Sequence, residues 1–102
     1  MAHPNWDVER AMLLKASVRG EVQGVGFRYF VVRKAGGLNV RGYVQNKADG
    51  SVYVVAAGER RALEELLAAL EKGPSQARVT NIDAQWSEEG EHVLPSGFEV
   101  RY

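Results

Sequence analysis

Gly20-Glu21-Val22-Gln23-Gly24-Val25-Gly26-Phe27-Arg28 is the stretch whose reading decides the fold. Upstream of it, Leu14-Lys15-Ala16-Ser17-Val18 alternates apolar and polar side chains, the period of a strand covered on one face. Downstream, Phe27, Phe30, Val31 and Lys34 fall at i, i+3, i+4 and i+7, the period of a helix. A glycine-rich loop therefore joins a strand to a helix start, with an arginine in the first turn. Gly20, Gly24 and Gly26 let the backbone turn tightly with positive φ and gather its N–H groups. Such a run of amides, backed by a helix N-terminus, makes a concave anion site. Arg28 adds a planar, permanently charged fork suited to two phosphate oxygens. A plainer reading stands beside this one: a tight strand-to-helix turn with Arg28 as a surface charge. The spacing matches neither the G-x-x-x-x-G-K-[ST] loop nor the G-x-G-x-x-G fingerprint of nucleotide-binding folds.

Working outward, the helix is expected from Phe27 to about Ala35. Phe27, Phe30 and Val31 would face the sheet, Lys34 would sit at its rim, and Gly36-Gly37 would end it as a C-cap pair. On the other side, Met12 to Arg19 is the first strand, with Leu14, Ala16 and Val18 on one face. Residues 1–11 have no period and read as a tail, with Trp6 available to pin it. Val40 to Lys47 and Ser51 to Ala57 are two more strands, joined by an Ala48-Asp49-Gly50 turn. Tyr43 and Tyr53 are expected to meet on the outer face of the sheet. Asn46 ends its strand just before the turn, where asparagine is commonly turn chemistry.

Glu59 to Lys72 is the clearest helix, its apolar stripe running through Ala62, Leu63, Leu66, Leu67, Ala69 and Leu70, and Gly73-Pro74 stops it. Val79 to Trp86 alternates as a strand, placing Val79 on the face opposite Ile82 and Trp86. Ser87 to Leu94 is a polar excursion. Phe98 to Tyr102 is a short closing strand with Phe98, Val100 and Tyr102 pointing one way. The order predicts an α+β, ferredoxin-like β-α-β-β-α-β domain over residues 12–102, with two helices on one face of an antiparallel sheet. The first strand is expected to pair with the strand after the first helix, which brings the glycine loop and Asn46 to one sheet edge.

Composition narrows the function. The chain has 102 residues, enough for one domain. Its formal net charge is zero, which argues against nucleic acid or an anionic membrane as the partner. It has no cysteine, which excludes disulfides, thiolate nucleophiles and cysteine-held zinc. His3 and His92 are far apart in polar stretches, so a catalytic or metal role is expected of neither. No long apolar run and no signal-type leader open the chain, so the expectation is a cytoplasmic protein.

A second stretch, Gly42-Tyr43-Val44-Gln45-Asn46-Lys47-Ala48-Asp49-Gly50, supports the phosphate reading of the loop. Together the two resemble the acylphosphatase family, whose pattern reads G-x-V-Q-G-V-x-[FY]-R, then G-[WY]-V-x-N followed by D-G. The resemblance covers roughly Leu13 to Tyr102. It departs from the pattern at Tyr43, often Trp, and at Gln45, often Arg; both are expected to point away from the phosphate. Gly37 and Asn39 soften the usual link between helix and strand.

The resemblance implies the same ferredoxin-like fold. It also implies hydrolysis of R–CO–O–PO3 to a carboxylate and inorganic phosphate. On that reading the backbone N–H groups of Gln23, Gly24, Val25, Gly26, Phe27 and Arg28 cradle the phosphoryl oxygens. Arg28 and Asn46 are then the catalytic residues, Arg28 gripping phosphate and Asn46 placing the attacking water. No metal, no cofactor and no covalent intermediate are expected. The partner is a small-molecule acyl phosphate, the product is inorganic phosphate, and the protein is expected to be a monomer. Two rival readings remain: a non-catalytic phosphate-binding or regulatory domain, and an RNA-binding module on the same fold.

Overall fold

The structure, a computed structural model, describes residues 11–88 and 94–102. Elements follow in the order β1 (Ala11–Glu21), α1 (Phe27–Leu38), β2 (Arg41–Asn46), β3 (Val52–Glu59), α2 (Arg60–Lys72), β4 (Arg78–Glu88) and β5 (Phe98–Arg101). They form one sheet in the order β4-β1-β3-β2-β5. The four longer strands pair antiparallel. The short closing strand β5 lies parallel to β2 at the sheet edge. This is the α+β ferredoxin-like arrangement, with a fifth strand added. Trp6, His3 and His92 lie outside the described residues, as do residues 89–93 of the polar excursion.

One expected pairing is corrected. β1 does not pair with β2; β3 lies between them. The five-residue connection after Asn46 folds β3 straight back along β2 as a hairpin. The crossover through α1 sets β2 down one place away from β1, and β3 fills the slot. Because β1 and β2 are both antiparallel to β3, they run parallel to each other. Their C-terminal ends therefore share one sheet edge, so the glycine loop and Asn46 stay neighbours.

The main core lies between the helices and one sheet face. Leu14, Ala16 and Val18 of β1 are fully buried there, as their alternation requires. Phe27, Val31 and Ala35 of α1 and Leu63, Leu66 and Leu70 of α2 meet them. Fully burying a side chain of the Val, Leu or Phe kind stabilises by roughly 1.5–3 kcal/mol, so Phe27, Val31, Leu63, Leu66 and Leu70 fix both helices to the sheet. The opposite face is not wholly polar. Leu13 is buried there with Val55 and Ala57, beneath Tyr43, Tyr53 and Leu94. Arg101 lies over the Tyr43 ring at 3.9 Å and Lys47 over the Tyr53 ring at 5.0 Å. Burial, with Tyr43 nearby, pushes the Tyr53 hydroxyl above its ordinary pKa.

A β-bulge breaks the simple alternation of β4. The β1–β4 register slips between Arg19 and Gly20, so that Asn81 faces Arg19 while Val79 faces Gly20. Thr80 is the extra residue, and its hydroxyl donates to the Arg19 carbonyl at 3.3 Å. The bulge reverses the phase of the strand, and Val79 packs on the main core with Ile82 and Trp86 instead of facing away. Gly20 serves this bulge. Its φ is 127°, and a Cβ there would strike the Arg78 carbonyl oxygen and the Thr80 nitrogen. It belongs to β1, so the phosphate-type loop proper begins after Glu21.

The end of α1 also differs from expectation. Gly36 and Gly37 do not cap the helix; it runs through them to Leu38. Asn39 is the cap, left-handed at φ 59° and ψ 41°, with its N–H returned to the Ala35 carbonyl. Asparagine tolerates that conformation, and Leu38 gains core contact only if the helix reaches it. α2 ends as expected at Gly73, which has φ 69° and donates to Ala69 O at 2.8 Å. Among the described residues no helix is long and apolar enough to cross a membrane.

Candidate active site

The loop from Val22 to Gly26 is built from the inside out. Val22 is buried and anchors its start. The Gln23 side chain then turns sideways: its Nε2 donates to Lys47 O at 2.8 Å and to Ser51 O at 2.9 Å. This ties the loop to the β2–β3 turn. That turn is itself closed by Lys47 N–H donating to Ser51 O at 2.9 Å and Gly50 N–H to Lys47 O at 3.1 Å. Asp49 Oδ1 accepts from the Ser51 N–H at 3.0 Å and hydroxyl at 2.6 Å. Those bonds, with Arg19 at 3.2 Å, hold the Asp49 carboxyl at about 2, below its ordinary 3.8.

Gly24 has φ 77° and Gly26 has φ 79°. Nothing crowds either position, so glycine is required by backbone conformation and not by space. Gly26 is the N-cap of α1, and it carries no side chain to satisfy the first-turn N–H groups. The first turn also contains no acidic residue. The N-terminus of α1 thus keeps its free amides and its positive dipole end for an external anion.

A cleft of about 230 Å³ opens at this edge. Gly24, Gly26, Phe27, Arg28 and Asn46 all line it, so the structure brings the two singled-out side chains to one place. Arg28 is half-buried, with its guanidinium carbon 5.1 Å from the centre of the Tyr102 ring. Among the described residues no carboxylate pairs with it. Asn46 stands at the last position of β2. Its Oδ1 is the one buried side-chain oxygen or nitrogen among the described residues that has no hydrogen-bond partner. Leaving such a group unpaired costs about 1–3 kcal/mol, and sites where that is tolerated are commonly functional.

Gln23 and Val25 stand differently from the rest of the loop. Neither lines the cleft; Gln23 braces the turn and Val25 packs against the core. Four other residues do line it and were not singled out from the sequence: Val22, Tyr29, Val100 and Tyr102. The alternation of Phe98, Val100 and Tyr102 indicated a common face. Nothing in it indicated that β5 lies parallel beside β2 and so next to Asn46. Tyr43 and Gln45 sit off the cleft. Tyr43 packs on the far face, and Gln45 Nε2 donates to the main-chain oxygen of Tyr102 at 3.3 Å.

A ferredoxin-like domain with an anion-ready cleft at one sheet edge is the class this molecule falls into. The sequence model of the acylphosphatase family matches residues 14–100, and the chain belongs to that family. It is 46% identical to the acylphosphatase of Salinibacter ruber over 88 residues, covering 86% of this chain and 90% of that protein. With the acylphosphatase of Deinococcus radiodurans it is 51% identical over 78 residues, covering 76% and 90%. The crystal structure of acylphosphatase from Bacillus subtilis matches with a TM-score of 0.83 at 35% identity, over 89% of this chain and 99% of that one. Neither the regulatory nor the RNA-binding reading is favoured by these relatives.

Proposed function

We propose that this enzyme, an acylphosphatase, hydrolyses small-molecule acyl phosphates by gripping the phosphoryl group with Arg28 and the free amides that open α1, while Asn46 steers water onto phosphorus. The observation that carries this is the meeting, in one cleft, of an arginine and a buried carboxamide oxygen, the first without a carboxylate partner and the second without a hydrogen-bond partner among the described residues. The substrate phosphoryl oxygens would lie against the N–H groups between Gly24 and Arg28, with two of them on the Arg28 guanidinium. Gln23 serves this scheme through its side chain, which holds the loop to the turn.

Water attacks phosphorus, the bond between phosphorus and the acyl oxygen breaks, and the electron pair leaves with the carboxylate. One water proton goes to a phosphoryl oxygen, so the products are a carboxylate and dihydrogen phosphate. A carboxylate leaves without protonation at neutral pH because its acid has a pKa of roughly 4. The scheme therefore needs no general acid. Phosphoryl transfer depends on positioning and charge stabilisation, which an arginine and a cup of amides can supply.

The test is turnover of an acyl phosphate, with EDTA present, by the parent and by Arg28→Ala. The expected loss is ~10²–10³-fold, by analogy with removal of one donor from an oxyanion site. Activity of Arg28→Ala within about a factor of two of the parent contradicts the assignment.

A further inference from the structure

Among the described residues, the large hydrophobic side chains that stand exposed are Tyr29, at 67%, and Tyr102, at 95%. Both line the cleft that holds Arg28 and Asn46. Scattered exposed aromatics are ordinary on a surface, but two at the mouth of one cleft are not scattered. They come from different elements: Tyr29 from the first turn of α1, Tyr102 from the residue after β5. Each has a cation against its ring, Arg33 at 5.3 Å from Tyr29 and Arg28 at 5.1 Å from Tyr102. The main chain of Tyr102 is tied to Gln45 as well. The rings are therefore held while their remaining faces stay in solvent. Val100 of β5 adds an apolar side chain to the lining of the same cleft.

The proposed phosphate grip, on which this inference rests, fixes one end of the substrate at the start of α1. The acyl group must then project away from the amides, toward the cleft mouth. We infer that Tyr29 and Tyr102 form the acyl-group subsite and select acyl phosphates with aromatic or bulky apolar acyl groups over those with small ones. An acetyl group is too short to cover either ring, whereas a benzoyl ring removes apolar surface from water and stacks. Aromatic pairs of this kind contribute enough to shift a rate ratio by about 3- to 10-fold each.

The experiment measures kcat/KM for benzoyl phosphate and acetyl phosphate, whose leaving carboxylates are of similar basicity, in the parent, Tyr29→Ala, Tyr102→Ala and Tyr102→Phe. The readout is the benzoyl-to-acetyl ratio. It is expected to fall about 3- to 10-fold in each alanine variant and to hold in Tyr102→Phe, which keeps the ring. Both side chains are exposed, so neither substitution removes core packing. Equal proportional losses on the two substrates, or no loss on either, overturn the inference. The first of these would make the tyrosines supports for neighbouring arginines. Failure of the phosphate grip is seen separately, as retained turnover of both substrates in Arg28→Ala.

Discussion

A buried carboxamide oxygen with no partner, as at Asn46, is a standing cost to the fold. The usual repair is any substitution that removes the orphan group. Asn46→Ala is therefore expected to leave the unfolding midpoint unchanged or raised while lowering kcat on an acyl phosphate by ~10-fold or more. Phosphate affinity, read from inhibition by inorganic phosphate, is expected to stay within about threefold, because the proposed role of Asn46 is to steer water and not to hold phosphate. A lost phosphate affinity with unchanged kcat would reverse the roles. The family resemblance and the topology led to the expectation that Arg28 and Asn46 lie at one sheet edge, and both line the cleft there. Gln23 was only half legible. A side chain that donates to two carbonyls more than twenty residues away leaves no pattern in the chain. Gly20 was read as part of the loop, and only the register slip shows that it serves a bulge.

At the scale of elements, the periods of two and 3.6 placed β1, α1 and α2 well, since each buries one regular face. What alternation could not convey was the inserted Thr80, which reverses the face of Val79. The C-terminus of α1 misled for a different reason. Glycine is the commonest residue just past a helix, but Asn39 was equally able to take the left-handed cap. Gly36 and Gly37 consequently sit inside the helix, exposed, with open space where a Cβ would stand. Glycine in a helix interior is less stable than alanine by ~0.5–1 kcal/mol. Gly36→Ala and Gly37→Ala are each expected to stabilise by that amount in urea unfolding, with activity retained. A destabilisation in either would mean that α1 ends before them.

For the molecule as a whole, the element order sufficed for the fold class, and the acylphosphatase relatives bear it out. Neighbour order in the sheet was the weaker part. Which strand lies beside β1 depends on where the crossover through α1 lands, and no local pattern records that. The parallel placement of β5 was hidden in the same way, and with it the part that Val100 and Tyr102 take in the cleft. The sheet edge where β1 and β2 both end is nonetheless a property of the topology, and it is what brings loop, arginine and carboxamide together.

The central claim is that a cup of amides and one guanidinium bind PO3 at that edge. It is tested most directly by titrating inorganic phosphate into isotope-labelled protein and following each N–H resonance. Saturable shifts confined to the amides of residues 24–28 and the Arg28 side chain, absent in Arg28→Ala, are the predicted result. Shifts that leave those amides unmoved, or that centre on the exposed Arg33 and Lys34, would contradict it.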